Sequence, residues 1–225
     1  MKAVSIPAAL AAAVQAARAA GKIMRDHRHR PKRVNSTAAH DIKLELDVRC
    51  QKTIEKIFFV AFPQIALLGE EGCAGDANAE YRWVVDPIDG TVNYFFGMPH
   101  ACVSIALQRC QGKNYETILG VIYDPFTDEL WTATRGGKTK LNGRVVHVSK
   151  RSKVGEAVVA MGFSKTKENL EKSLPHLHRL ARRTLKIRLM GSAALELAYV
   201  ASGRLDLYVE RTINLWDIAA GACGS

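Results

Sequence analysis

Two segments near the start of the chain carry apolar residues at helical spacing. The first runs from a cap at Ser5 to about Met24, with Leu10, Val14, Ala17, Ile23 and Met24 on its apolar face. The second begins near Asp47 and closes at Pro63, with Val48, Ile54, Ile57 and Phe58 on its apolar face. Both patterns predict amphipathic helices. Residues 31–41 between them are polar and lack a period, so we expect a mobile loop there.

The middle of the chain consists of short apolar runs separated by turn residues, which is typical of strands. We expect strands at residues 65–68, 83–85, 101–108, 117–123 and 129–134. A turn at residues 124–128 joins the last two as a hairpin, and Asn142-Gly143 marks a second hairpin. This part of the sequence therefore predicts a long antiparallel sheet after two helices.

The pattern changes near residues 149–156. Strand and helix signals alternate downstream, with strands at 157–161, 185–189 and 205–209 and helices at about 168–183 and 193–201. Such alternation indicates an α/β arrangement. We therefore predict an α+β domain over residues 1–150 and an α/β domain over residues 151–225.

The net charge of +10 limits the classes of partner. Basic residues concentrate at 22–33 and 179–188, which favours solvated or phosphate-attracting faces; neither run interleaves the aromatics of a single-strand nucleic-acid platform. Nucleic acid is therefore a possible partner that the sequence does not favour. No apolar run reaches the length of a membrane span. The five cysteines show no metal or disulfide spacing and predict buried thiols in a reducing compartment. The alanine- and arginine-rich start is open to a transit peptide, but a cytoplasmic location is favoured.

The most informative stretch is residues 83–93, Trp-Val-Val-Asp-Pro-Ile-Asp-Gly-Thr-Val-Asn. An apolar strand ends at Asp86, and Asp89-Gly90 is a turn pair, so one tight loop presents two carboxylates. Thr91 adds a hydroxyl and stands where a helix can begin. Mg²⁺ binds through such carboxylates together with substrate phosphate. Taken alone, the motif is equally consistent with a simple turn.

Two further motifs flank this stretch. Gly69-Glu70-Glu71-Gly72 lies upstream and Trp216-Asp217-Ile218-Ala219-Ala220-Gly221 lies downstream. In this order the three motifs resemble the inositol monophosphatase family of metal-dependent, lithium-sensitive phosphomonoesterases, and the resemblance runs from about Ala9 to the last residue. It implies a layered α/β and α+β sandwich of alternating helices and sheets.

The resemblance also assigns roles around the metal. One Mg²⁺ would be held by Glu70, Asp86 and the backbone carbonyl of Ile88, and a second by Asp86, Asp89 and Asp217. Glu70 and Thr91 would act on the attacking water, with Asp47 accepting a hydrogen bond from Thr91. From the residues alone, surface turn acids and a helix-start acid at Asp47 stay open as alternatives.

On the substrate side, the residues that match the family are Asp89, Gly90, Thr91, Gly191, Ser192, Ala193, Glu210 and Asp217. The start of a helix at Gly191-Ser192 offers donors, and Glu210 ends a strand where it can accept from a polyol; a capped surface helix and a rim acid are the alternatives. Family members usually continue some forty residues further, so the chain is expected to be C-terminally shortened, with Asp217 placed less firmly.

The expected activity is Mg²⁺-dependent hydrolysis of myo-inositol monophosphate, and the resemblance also implies a homodimer. The alternatives within the class are phosphatases of sugar, histidinol or nucleotide monoesters, because the metal motif does not select the substrate. An RNA-binding or transcription-complex protein with secondary catalysis is the alternative from another class.

Overall fold

The computed structural model describes residues 4–38, 41–163 and 166–223, and for residues 36–38 and 41–43 it describes the backbone only. Helix bounds are α1 Ile6–His27, α2 Glu45–Ala61, α3 Thr91–Phe95, α4 Lys167–Ala181, α5 Ala193–Ala201 and α6 Leu215–Ile218, and a single 3₁₀ turn spans Val154–Glu156. The two long helices near the start and the helices of the second half thus form where the apolar periodicity predicts them.

Thirteen strands form three sheets within the described residues. Their bounds are β1 Val34–Ala38, β2 Asp41–Leu44, β3 Ala66–Gly69, β4 Gly72–Ala74, β5 Tyr81–Asp89, β6 Cys102–Gln111, β7 Asn114–Asp124, β8 Glu129–Thr134, β9 Lys140–Leu141, β10 Arg144–Val145, β11 Val158–Met161, β12 Lys186–Arg188 and β13 Leu207–Val209. The large sheet has the order β10-β9-β8-β7-β6-β5-β3-β4 and is antiparallel except for the β3–β5 pair. The small sheet, β12-β11-β13, is parallel.

The large sheet is covered on both faces. Alternate residues of β5, β6 and β7, such as Trp83 and Ile105, pack with α1 and α2 on one face. Val84, Ala106 and their neighbours pack with α5 and α6 on the other. Helix α5 also contacts β13 of the small sheet. The molecule is therefore a layered sandwich of alternating helices and sheets, as expected, and the proposed boundary near residue 150 stays a prediction.

The prediction of a mobile loop at residues 31–41 is wrong for residues 34–38 and 41, which lie in strands. Strand β1 pairs antiparallel with β2, with Ala38 opposite Asp41, and residues 39 and 40 lie outside the described part of the chain. Within the described residues these strands pair only with each other, and Val34 is 41% exposed. The sequence of β1, Val-Asn-Ser-Thr-Ala, lacks the alternation of apolar residues that reveals a strand.

Two further differences concern the middle of the chain. Strand β5 continues to Asp89, four residues beyond the predicted end, because β6 pairs with it on both sides of an irregularity between Asp86 and Asp89. Of the cysteines, Cys73 is exposed and Cys110 half-buried, so the expectation of buried thiols fails for these two. In the described part of the chain, no helix combines the length and apolarity that crossing a membrane requires.

Candidate metal and phosphate site

The centre of the site is the end of β5, an interior strand between β3 and β6. The backbone N–H of Ile88 donates to Asp86 Oδ1 at 3.0 Å, which fixes the first carboxylate within its own turn. Gly90 follows with φ of +93°, and a Cβ there would lie 2.8 Å from the carbonyl oxygen of His100. A glycine is therefore required both for the left-handed backbone and for the close approach of the neighbouring chain.

Asp217 reaches the same place from the far end of the chain. It lies in α6, and its Oδ2 accepts from the N–H of Asn214 at 3.0 Å, an N-terminal cap. The hydroxyl of Ser104 on β6 donates to the Trp216 carbonyl at 3.2 Å and ties α6 to the sheet. Ligand atoms of Asp86, Asp89 and Asp217 all lie within 4.8 Å of one another.

Electrostatics indicate that this cluster is suited to a cation. Burial raises the pKa of Asp86 well above its usual value, and the negative charges of Glu70, Asp89 and Asp217 raise it further. Burial also raises the pKa of Asp89 to about 7, against the lowering effect of a hydrogen bond from Ser192. A bound cation offsets the repulsion between neighbouring carboxylates. A set of ligands that are all oxygen atoms suits a hard divalent ion.

Glu70 occupies the turn between β3 and β4 and lines the same cavity. Its N–H donates to the Val85 carbonyl at 3.1 Å. The buried amide of Gln51 in α2 accepts from the N–H of Glu71 at 2.9 Å and donates to the Gly72 carbonyl at 3.1 Å. A Cβ at Gly69 would lie 2.2 Å from Gln51 Oε1. Gln51 therefore holds the turn that carries Glu70, a role that its place in an otherwise ordinary helix did not reveal.

Thr91 and Asp47, predicted to act on the water, have other recorded contacts. The Thr91 hydroxyl donates to the carbonyl oxygen of Ile88 at 2.9 Å. Asp47 is buried, and its Oδ2 accepts from the N–H of Leu44 at 2.7 Å, which caps α2. Both the capping role considered from sequence and a role at the site are compatible with this placement, and the predicted Thr91–Asp47 relay stays a prediction.

The second half of the chain meets Asp89 directly. The Ser192 hydroxyl donates to Asp89 Oδ2 at 2.6 Å, and the N–H of Ala194 donates to the same oxygen at 2.7 Å. Gly191 and Ala193 line the cavity beside Ser192. Donors at the start of α5 therefore bind the carboxylate of Asp89.

Glu210, just after β13, also lines the cavity. It accepts a short hydrogen bond from the Tyr208 hydroxyl, and burial, with this carboxylate, raises the pKa of that phenol. A Cβ at Gly162 would lie 2.1 Å from Glu210 Oε2, so the glycine makes room for the carboxylate. The cavity has a volume of about 290 Å³. All twelve residues predicted for the site line it except Asp47.

The sequence prediction does not include seven of the residues that line the cavity: Val92, Asn93, Gly162, Phe163, Glu196, Tyr208 and Asn214. Two of these, Asn93 and Glu196, are buried polar side chains. The Asn93 amide lies within hydrogen-bond distance of three backbone carbonyls, two of them at Met190 and Gly191. Glu196 is buried in α5 and accepts from the N–H groups of the same two residues. A single acid inside the apolar run Ala193–Ala201 was the available signal for Glu196; for Asn93 it was its place in the central motif.

A layered sandwich brings carboxylates from an interior strand and a distant helix into one cavity, where they could hold a metal ion. The inositol monophosphatase family model matches residues 8–223, and the chain belongs to this family. The predicted resemblance is thereby confirmed.

Individual relatives have two kinds of name. The chain is 39% identical over 211 residues to a Nus factor SuhB of Xylella fastidiosa, covering 92% of this chain and 75% of the relative. It is 41% identical over 184 residues to an inositol-1-monophosphatase of Rhizobium meliloti, covering 80% and 67%. Among solved structures, the extragenic suppressor protein suhB of Bartonella henselae has a TM-score of 0.90 at 35% identity, covering 96% of this chain and 83% of that one. Family membership thus supports a phosphatase without choosing its substrate.

Proposed function

We propose that this protein is a Mg²⁺-dependent phosphomonoesterase that hydrolyses myo-inositol monophosphate to inositol and phosphate. The observation that carries the proposal is the convergence of ligand atoms from Asp86, Asp89 and Asp217 within 4.8 Å. The same cavity is also lined by Glu70, Thr91 and Glu210. Acidic ligands, a hydroxyl and a separate acceptor for sugar hydroxyls are the groups that this reaction needs.

In this proposal Glu70, Asp86 and the Ile88 carbonyl hold one Mg²⁺, and Asp86, Asp89 and Asp217 hold another. When bound, two such ions lower the pKa of water and stabilise charge on the attacking and leaving oxygens of an in-line displacement. The chain's own contribution is to fix the orientation of these carboxylates by donating hydrogen bonds to their oxygens. Ile88 N–H does so for Asp86, and Ser192 and Ala194 do so for Asp89.

Glu70 and Thr91 are proposed to orient the attacking water, with Asp47 accepting from Thr91. The Thr91 hydroxyl now donates to the Ile88 carbonyl, and this contact keeps the hydroxyl at the edge of the cavity. Gly90 and Thr91 line the cavity, and their backbone N–H groups are proposed to donate to the phosphate. The cysteines and histidines have no part in the proposed chemistry.

Substrate choice is proposed to lie with Glu210 and the Gly191–Ala193 stretch. Glu210 carries a negative charge that accepts from polyol hydroxyls, and the Tyr208 hydroxyl holds one of its oxygens. Asp89 and Asp217 line the same cavity and are proposed to contact the substrate as well. This combination favours a polyhydroxylated leaving group over an apolar one.

The test is phosphate release from a panel of monoesters with and without Mg²⁺. The panel contains myo-inositol monophosphate, fructose 1,6-bisphosphate, histidinol phosphate and a 3′-phosphoadenosine nucleotide. We expect Mg²⁺-dependent turnover that is highest for the inositol ester, and uncompetitive inhibition by Li⁺. Preference for another ester would replace the substrate assignment, and turnover that is independent of divalent ions would contradict the metal site.

A second candidate function is binding within a transcription complex. It is favoured by the relatives named Nus factor SuhB and by the basic end of α4, where Arg179, Arg182 and Arg183 line one open surface. Retention of RNA that weakens with salt and survives Asp89→Asn would support this function. A cytoplasmic homodimer is proposed for either case, and light scattering of the purified chain tests the dimer.

A further inference from the structure

The segment Met190–Ser192, which joins β12 to α5, is held from two sides. Asn93 Nδ2 lies 2.6 Å from the Met190 carbonyl oxygen and 3.3 Å from that of Gly191. Glu196 Oε1 accepts from the N–H groups of the same two residues, each at 3.1 Å. One buried side chain therefore binds the carbonyls of the 190–192 segment and another binds its amides.

The contact with Asn93 depends on the glycine in the segment. Gly191 has φ of +79°, and a Cβ there would lie 3.3 Å from Asn93 Nδ2. Asn93 is also anchored in its own region, because the same amide nitrogen lies 2.9 Å from the carbonyl oxygen of His100. The 190–192 segment is thus tied to the end of β5, from which the metal ligands extend.

The segment ends at Ser192, whose hydroxyl donates to Asp89 Oδ2. Ser192 is fully buried, and its carbonyl accepts from the N–H of Glu196 at 3.0 Å as the first bond of α5. Any shift of the 190–192 segment therefore moves a donor that lies 2.6 Å from Asp89. Residues that hold the partners of a ligand carboxylate determine its orientation, and their removal typically weakens metal binding.

We infer that Asn93 and Glu196 are positioning residues which, by holding the 190–192 segment, orient Asp89 for metal binding across the two halves of the molecule. The inference rests on the proposed metal site and adds two residues to it. Neither side chain needs to touch the metal or the substrate for this role. Their effect passes through Ser192, and it should therefore appear in metal affinity as well as in turnover.

Isothermal titration of the metal-free protein with Mn²⁺, at fixed pH, measures this affinity directly. We expect Asn93→Ala and Glu196→Ala each to weaken Mn²⁺ binding by about tenfold. The double variant should lose much less than the product of the two, because both changes release the same segment. Glu196→Gln keeps an acceptor oxygen for the two N–H groups and should bind Mn²⁺ within about threefold of the unaltered protein.

Matched controls are available outside the cavity. Gln108 is a buried amide that donates to Thr117 and accepts from Arg82, and Asp206 is a carboxylate that accepts from the N–H of Val158. Gln108→Ala and Asp206→Ala should lower the thermal unfolding midpoint while leaving the Mn²⁺ affinity unchanged. If the site variants also bound Mn²⁺ unchanged, Asn93 and Glu196 would only support the fold and the inference would be wrong.

Two other outcomes are decisive. An equal loss of affinity in Glu196→Gln and Glu196→Ala would assign the effect to charge and overturn the positioning role. If Asn93→Ala does not fold, Asn93→Ser removes the same amide with less loss of volume and carries the same expectation. Absence of Mn²⁺ binding to the unaltered protein would contradict the proposed function itself, and this result is distinct from equal binding by all variants.

Discussion

The two halves of the site are built differently. Asp86 and Asp89 lie on an interior strand of the large sheet and are 2% and 7% exposed. Asp217 and Glu210 are half-buried, on a four-residue helix and just after a three-residue strand. A carboxylate on a buried strand that pairs with β6 at Asp86 and at Asp89 has little freedom, whereas one on a short helix depends on a few contacts. Under the proposed function, we therefore expect the first half to fix where chemistry occurs and the second to adjust metal occupancy and substrate fit.

The largest expected effect tests this contrast at the ligands. Asp89→Asn keeps the shape and removes the charge, and we expect turnover to fall by about a thousandfold because catalysis here is mostly charge stabilisation. Asp217→Asn should also lose activity but recover part of it in excess Mg²⁺. Phosphate release against Mg²⁺ concentration measures both, with Asp206→Asn as the control. Near-normal rates in Asp89→Asn would exclude the two-metal assignment.

The next effect belongs to the first half alone. Thr91→Ala should lower kcat by about a hundredfold with little change in KM, since the hydroxyl is proposed to act on the water and adds little to substrate binding. Thr91→Ser retains a hydroxyl that can donate to the Ile88 carbonyl and should keep much of the rate. Steady-state kinetics separate kcat from KM. An equal loss in both variants would assign the effect to packing of the threonine methyl.

A third test concerns the pH dependence of the second half. Burial raises the pKa of Glu196 from 4.5 to about 7, and the charge of Asp89 adds to this. Between these values the folded protein holds a proton that the unfolded chain has released, so stability falls as pH rises from 4.5 to 7. The loss is on the order of 2 kcal/mol, and Glu196→Gln should remove it.

Urea unfolding of the metal-free protein at pH 5 and pH 7.5 measures that difference. Glu171→Gln, on the exposed surface of α4, is the matched control and should keep the full pH dependence. A slope that is unchanged in Glu196→Gln would show that other groups cause it.

The smallest effect addresses substrate fit. Gly162→Ala would place a Cβ against the carboxylate of Glu210 and the Tyr208 hydroxyl, so Glu210 must move. We expect KM for the inositol ester to rise by about fivefold, the equivalent of about 1 kcal/mol, with kcat nearly unchanged. Kinetics on p-nitrophenyl phosphate, which has no polyol, provide the comparison and should show no change in KM. A fall in kcat for both substrates would place Gly162 in the fold and not in specificity.

The sequence by itself determined the helices, most strands and the order of the three acidic motifs. The spacing of apolar residues predicts α1 and α2, and the dipeptide Asp89-Gly90 predicts a turn. The β1–β2 hairpin was not predicted because the sequence of β1 has no alternation of apolar residues. The sequence also predicts four acidic site residues, because each lies in a short motif and the motifs occur in the order that is typical of the family. These residues are Glu70, Asp86, Asp89 and Asp217.

Only the tertiary structure decided how these residues are held. Asn93 contacts Met190 across 97 positions of the chain, and Gln51 reaches Gly72 across 21. A buried polar side chain needs hydrogen-bond partners. When a partner lies far away in the sequence, no local sequence pattern identifies it. The same reason applies to the metal site. Each carboxylate belongs to a motif that is visible in the sequence, but the ligand atoms of Asp86, Asp89 and Asp217 come within 4.8 Å of one another only when α5 and α6 pack on the large sheet.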